Sequence, residues 1–392
     1  MINDNNEIES KDNFPLDLLR TLSVLSIAIM PTIINMFSLH EFHGGYIGDS
    51  IFSYIIIVSA PALLFFVSGV ASLRLALIKN KWKLIREVGI LGLLYQGALY
   101  RFSFHELDFL MFLYLLFIVT FYFRRLLSYV SPRIIVLIGI LGISFFMSTF
   151  LMSTKHLREL YEFPSQLAPW AFFFMLGMVV DNRANNFKNR IFVIGCGIIL
   201  ILYSFLIRYP SAQSRIKDPY FFHHYLHPTS ILLLIGGILL CLYCLFGFIR
   251  IKSNSAFRKI ATLFSENVYQ GIVFQPYTKI ILGLLIELIS VLFWSLDISL
   301  MDSLRPILII PALYIVLIIL VRLRHYLAAK IGERSLYNSG LYLGIIASIA
   351  SIFLLSIPDP HQARIIFLGV SFCTLPYIAF AFIHITTNAA EG

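Results

Sequence analysis

The feature that most constrains this chain is how little of it lies outside apolar runs. They fall at about 21–37, 51–73, 88–100, 108–123, 134–152, 167–180, 191–207, 229–249, 262–296, 306–321, 338–357 and 365–384. A helix rising ~1.5 Å per residue needs ~20 apolar residues to cross the ~30 Å hydrocarbon core of a bilayer. About twelve such spans use roughly 240 residues, close to the 59% hydrophobic fraction of a 392-residue chain. Charged residues amount to 13%, about half their share in a soluble domain. That balance excludes a soluble enzyme, a disordered chain and a nucleic-acid binder. It predicts an all-α, polytopic transmembrane bundle of about 11–13 spans in the cell membrane, with residues 1–14 as a polar cytoplasmic tail and 15–392 as one domain.

Two runs depart from the standard length. The run 88–100 is short, and 262–296 is too long for one span and carries Glu266, Asn267, Gln270, Gln275, Pro276, Lys279 and Glu287. Polar groups at membrane depth need protein or water around them, so 262–296 is expected to be one span joined to a re-entrant or broken helix; two full spans is the competing count. Orientation follows from Lys and Arg in short loops. Arg74, Lys79, Lys81, Lys83 and Arg86 follow the second run, and alternate loops hold Arg124, Arg125 and Arg133, then Arg183, Lys188 and Arg190, then Arg250, Lys252, Arg258 and Lys259. These loops are expected inside, with both termini. The basic stretch from Arg322 to Arg334 joins them if 262–296 crosses once. The first fourteen residues lack a basic start followed by an apolar core, so insertion is expected to rely on the first span.

Residue chemistry narrows the choice further. The four cysteines lie within apolar runs, and the CxxC spacing of Cys241 and Cys244 has no other soft ligand nearby, so no metal site is expected. Walker, dinucleotide-binding and HExxH patterns are absent. With this topology His40, His43, His105, His156, His223, His224, His227 and His361 all fall in outer loops, eight of the ten histidines. Histidine suits proton transfer near neutral pH, although it also tolerates interfaces and the outer loops are the longer ones.

Five clusters of residues are candidates for chemistry. Asp17 and Arg20 open the first span three residues apart, on one helix face; Arg20 either snorkels to headgroups or presents a guanidinium fork to phosphate oxygens inside the bundle. The 38–50 loop gathers His40, Glu41, His43 and Asp49 with three glycines; it is either a solvated loop or an imidazole with a carboxylate to hold its tautomer. The stretch 60–69, ending Phe65-Phe66-Val67-Ser68-Gly69, offers small residues for close helix packing. Arg101, His105, Glu106 and Asp108 form either interface pairs or a polar cavity wall. Trp170 heads Trp170-Ala-Phe-Phe-Phe-Met-Leu-Gly177 and is at least an aromatic-belt anchor.

Asp17-x-x-Arg20 in the first span, Phe65 to Gly69 in the second and Trp170 to Gly177 near the sixth resemble the polytopic membrane acyltransferases. That group includes acyltransferase family 3, the glucan-succinylating transferases and the heparan-α-glucosaminide N-acetyltransferase type. Leu39-His40-Glu-Phe-His43-Gly44 followed by Asp49 is most similar to the last type, although Pro61 lies twelve residues beyond that aspartate. His223 to Ser230 and Glu266-Asn-Val-Tyr269 also fall where relatives carry comparable features, so the likeness covers about residues 14–280. Family 3 carries a histidine late in the first span, and here Ile29-Met30-Pro31-Thr32-Ile33 has none, which argues against a family-3 catalytic centre; the likeness to the glucosaminide type implies His40 as the catalytic histidine.

The resemblance implies a membrane acyltransferase, transferring groups other than aminoacyl groups. It would take an acyl group, acetyl first among the candidates, from a cytoplasmic acyl-coenzyme A to a hydroxyl or amine of a glycan, glycolipid or glycosylated small molecule at the outer face. Arg20 and Asp17 with Lys79 and Lys81, and Arg101 and His105 further out, are the expected binding residues; His40, oriented by Glu41 or Asp49, is the expected base. No tightly bound cofactor is implied, and a homodimer is compatible with it. The alternative function is a transporter or flippase for a lipid-linked or anionic glycan, because broken polar helices are typical of transport sites.

Overall fold

The computed structural model describes residues 14–41, 59–72, 81–98, 109–129, 170–178, 180, 187–206, 229–248, 255–292, 298–354 and 360–383. Among the described residues there are twelve helices and no strand. In chain order they are α1 (Phe14–Glu41), α2 (Ser59–Ser72), α3 (Lys81–Ala98), α4 (Phe109–Tyr129), α5 (170–178) and α6 (Phe187–Leu206). Then come α7 (Thr229–Phe246), α8 (Ala256–Glu266), α9 (Val268–Leu292), α10 (Ile298–Ile331), α11 (Glu333–Leu354) and α12 (Pro360–Ala381). The all-helical class expected from the apolar runs is what the described residues form. Two stretches, Val268–Ile289 and Leu308–Ile331, are long and apolar enough to cross a membrane.

The bundle is organised around α1, which packs on α7, α8, α9 and α10. A second group joins α3 to α4, α11 and α12, while α6 pairs with α7 and α11 with α12. Helix α2 is the most enclosed element: residues 60–72 are all buried, and Phe65 and Phe66 have no exposed surface. Such enclosure is possible because small residues let backbones approach. A Cβ on Gly69 would overlap the Phe174 carbonyl oxygen, and one on Gly177 would overlap the carbonyl oxygen of Phe66. The two apolar stretches singled out in the sequence therefore lock into each other, and Phe65 stacks on Trp170 with ring centroids 5.2 Å apart. Trp170 is thus a packing residue of this crossing, beyond any interfacial role.

Among its described residues, the long run 262–296 is broken once, at Asn267. Helix α8 ends at Glu266, Asn267 leaves the helical region (φ −114°, ψ 37°) and α9 begins at Val268. The break is chemically satisfied, because Asn267 Nδ2 donates to the Leu263 carbonyl at 3.1 Å and its own carbonyl accepts from Gly271 N at 2.8 Å. At its other end α8 is capped by Ser255, whose hydroxyl accepts from Arg258 N at 3.2 Å. The turn from α10 into α11 rests on Gly332 at φ +87°, a conformation in which glycine carries no Cβ penalty.

Outward faces are strongly apolar. Ile280, Ile281, Leu284, Leu285 and Leu288 on α9 are each about half exposed or more, as are Ile315 and Ile319 on α10 and Ile346 and Phe353 on α11. The run 262–296 holds two helices, α8 and α9, and the run 134–152 lies outside the described residues.

The glycine crossing is directly testable. Gly69→Ala and Gly177→Ala should each destabilise the protein by about 1–3 kcal/mol through overpacking, read as a lower melting temperature in detergent. Gly195→Ala, with nothing within 4 Å of the added carbon, should leave it unchanged or slightly higher.

Candidate functional site

The first turn of α1 puts Asp17 and Arg20 on one face, as their spacing requires, and folding brings α8 and α2 up to them. Arg20 Nη1 lies 3.8 Å from Asp17 Oδ1, and the hydroxyl of Ser265 stands between the two. It donates to Asp17 Oδ1 at 2.5 Å and accepts from Arg20 Nη1 at 3.4 Å. Thr21, one residue on, donates its hydroxyl toward the carbonyls of Asp17 at 2.8 Å and Ala261 at 2.9 Å, tying α1 to α8. The side chains of Asp17 and Arg20 keep 25% and 28% of their surface exposed, so the pair is set into the bundle without being sealed there.

The helix break completes this site. Because α8 stops one residue after Ser265, the chain is redirected so that Tyr269, in the first turn of α9, reaches α2. There its hydroxyl is hydrogen-bonded to the Ser68 side chain and lies within the field of Arg20. Four residues quoted from three separate motifs, Asp17, Arg20, Ser68 and Tyr269, therefore share one locality. An arginine fork supported by a carboxylate and two hydroxyls is well suited to holding phosphate or carboxylate oxygens.

A second polar group joins α3, α10, α11 and α12. Glu87 and Arg324 are each only 2% exposed. The Glu87 carboxylate faces Arg324 and is hydrogen-bonded to Tyr337. Arg86 Nη2 donates to the Tyr337 hydroxyl at 3.2 Å, and Lys83 Nζ lies 4.5 Å above the Tyr337 ring. Arg324 also pairs with Glu333 at 3.7 Å and donates through Nε to the Ala381 carbonyl at 3.3 Å. Next to that contact Gln270 Nε2 donates to the Phe382 carbonyl at 2.8 Å. These are the orphan carbonyls at the end of α12, and a cation belongs at that negative end of the helix dipole.

The other expected site residues fall elsewhere. His40 and Glu41 are the last residues of α1 instead of loop residues, because the helix continues past the apolar run that ends at about 37. Their side chains lie outside the described residues, as does that of Lys81 at the start of α3. Asp49, Lys79, Arg101 and His105 lie wholly outside them. Arg20 and His40 are twenty residues apart on one continuous helix, about 30 Å along its axis. Among the described residues no group of three or more His, Cys, Asp or Glu could hold a metal ion. Sequence reasoning missed Ser265, Glu87, Arg324 and Tyr337. The one available signal was for Ser265, whose neighbour Glu266 stands in a run already too long and too polar for a simple span.

Ser265→Ala should remove both bonds that the hydroxyl makes, at about 1.5–3 kcal/mol because one partner is ionised. A lower melting temperature in Ser265→Ala, largely restored in Ser265→Thr, is the expected result. No family model, curated protein or solved structure matches this chain.

Proposed function

We propose that the chain is a multi-pass membrane acyltransferase whose donor site is built on Arg20. In this reading the bundle crosses the cell membrane about twelve times, with the run 134–152 as one span and α8 with α9 as one broken span. The apolar outward faces of α9, α10 and α11 support a lipid environment, since side chains of this size and number are not left exposed in water.

The observation that carries the enzymatic reading is the convergence of Asp17, Arg20, Ser68 and Tyr269, residues that resemble acyltransferase motifs and lie up to 252 positions apart (269 − 17). Arg20, held by Asp17 and Ser265, binds phosphate oxygens of a cytoplasmic acyl-coenzyme A, with Lys79 and Lys81, the first residue of α3, adding charge. At the far end of α1, His40 takes the proton of a carbohydrate hydroxyl or amine, with Glu41 or Asp49 orienting its ring. The acceptor oxygen or nitrogen attacks the thioester carbonyl, the C–S bond breaks, and the coenzyme departs as a thiolate that takes up the proton His40 removed. Arg101 and His105 fall to the acceptor side.

A transporter would share the broken helix, but the amide nitrogens of that region are used within the bundle. Gln270 donates to the Phe382 carbonyl and Gln275 Nε2 to the Ala28 carbonyl at 3.4 Å, which favours a structural role for them.

Thermal unfolding of the purified chain in detergent, with and without acetyl-coenzyme A, tests the donor site. Saturation at about 100 times the dissociation constant should add ~2.7 kcal/mol, and the shift should vanish in Arg20→Ala while surviving in Arg322→Ala. His40→Ala should keep the donor shift but lower release of free coenzyme thiol in the presence of a membrane glycolipid extract by about 10²–10⁴-fold. A chain that melts identically with and without the thioester would sink the donor site and move transport ahead.

A further inference from the structure

At the turn from α10 into α11 an open groove of about 670 Å³ is lined by Arg334, Ser335, Asn338, Ser339 and Tyr342. These residues recur at intervals of three and four, so they occupy one face of α11. The same face continues with Ile345, Ile346, Ile349 and Phe353, which are 39%, 64%, 49% and 68% exposed. A polar, hydrogen-bonding head is thus followed without interruption by an apolar strip, with the 63% exposed ring of Tyr342 at the junction. From Tyr342 to Phe353 the strip runs ~16 Å, about the ~15 Å hydrocarbon depth of one leaflet.

The charges around the groove give its occupant a sign. The carboxylate of Glu333 lies 3.7 Å from Arg324 Nη2 on the neighbouring helix. Lys330 is parked over its own helix, with Nζ 4.4 Å from the centre of the Tyr326 ring. Arg334 is exposed and pairs with no carboxylate among the described residues. The groove therefore offers the Arg334 guanidinium beside the Ser335 hydroxyl and the Asn338 amide, the Ser339 hydroxyl being taken up by the Leu336 carbonyl at 2.7 Å and the Tyr377 hydroxyl at 2.8 Å. A zwitterionic headgroup would bring its own cation, and among the described residues that line the groove there is no carboxylate to meet it.

We propose that this groove binds an anionic phospholipid of the inner leaflet, its phosphate on Arg334, Ser335 and Asn338 and one acyl chain along the α11 strip. The proposal rests on the multi-pass reading with the Arg322 to Arg334 segment inside, and it shares no residue with the donor site on α1.

Native mass spectrometry of the full chain, released from detergent after exposure to equimolar phosphatidylglycerol and phosphatidylcholine, reads the preference. The expected result is retention of phosphatidylglycerol over phosphatidylcholine, reduced about fivefold in Arg334→Gln, the effect of one basic residue at an anionic surface. Arg322→Gln, which removes an exposed charge from α10 outside the groove, should leave the preference intact. Equal retention of the two lipids by the unaltered chain would overturn the proposal, as would equal losses in both variants, or displacement of the lipid by millimolar inorganic phosphate alone. Alkaline carbonate washing separates this from failure of the underlying reading: a chain released from membranes overturns both, whereas one that stays but shows no lipid preference overturns only the groove.

Discussion

A single serine hydroxyl, that of Ser265, holds the opening turn of α1 to the end of α8, and much of the bundle is arranged to keep it there. Asp17 and Arg20 could close on each other directly, but a contact of 3.8 Å with the hydroxyl inserted leaves them spread apart. In a low-dielectric interior a charge is tolerated only when its partners are fixed. Fixing Ser265 needs α8 to end at that point, which the break at Asn267 provides. The same break turns Tyr269 toward Ser68, and Ser68 is within reach because α2 lies deep in the bundle. That depth depends in turn on Gly69 and Gly177, where two backbones come close enough that no side chain fits.

The second polar group obeys a different rule. Helix ends leave carbonyls without intrahelical partners, and α12 ends inside the bundle, where water does not reach them freely. Arg324 and Gln270 answer this by donating to consecutive residues, Ala381 and Phe382. Burying a guanidinium to cap a helix is costly unless its charge is met, and Glu87 and Glu333 approach it from α3 and α11. The result joins four helices at one end of the bundle, a structural use of charge, whereas the more exposed pair on α1 remains open to a ligand.

How much of this was legible in the sequence follows from the range of each interaction. The Asp17–Arg20 pair was legible, since three residues on a helix define a shared face. The broken helix was also legible, because an apolar run from 262 to 296 interrupted by Glu266, Asn267, Gln270, Gln275, Lys279, Glu287 and a proline does not form one plain span. The Gly69–Gly177 crossing was half legible: the small residues stood out, but nothing local said that the two stretches meet. Ser265 and Arg324 were not legible, because their partners lie 245 and 57 positions away and periodicity names a face without naming the neighbour. Arg324 was counted only as one charge in a basic loop. The end of α1 was misjudged for a simpler reason. Apolarity stops near residue 37, but a helix needs only backbone hydrogen bonds to continue to Glu41.

That continuity of α1 sets the main physical demand on an enzymatic reading. The residue four beyond Arg20 is Val24 and the one seven beyond is Ile27, so the face that rises from the guanidinium is apolar over its next two turns. Both are buried, at 1% and 3% exposed, and Gly271 of α9 approaches Val24 so closely that an added carbon would stand 3.0 Å from it. In that reading a thioester anchored at Arg20 must reach about 30 Å to meet a base at the other end, and the first two turns of the way, at Val24 and Ile27, are packed interior. The contact between α1 and α9 is then the natural place for a passage. It is lined on one side by β-branched residues and on the other by a glycine, a pairing that parts without breaking a hydrogen bond. The neighbouring polar ties, from Thr21 to Ala261 below and Gln275 to Ala28 above, bracket that contact and limit how far it opens.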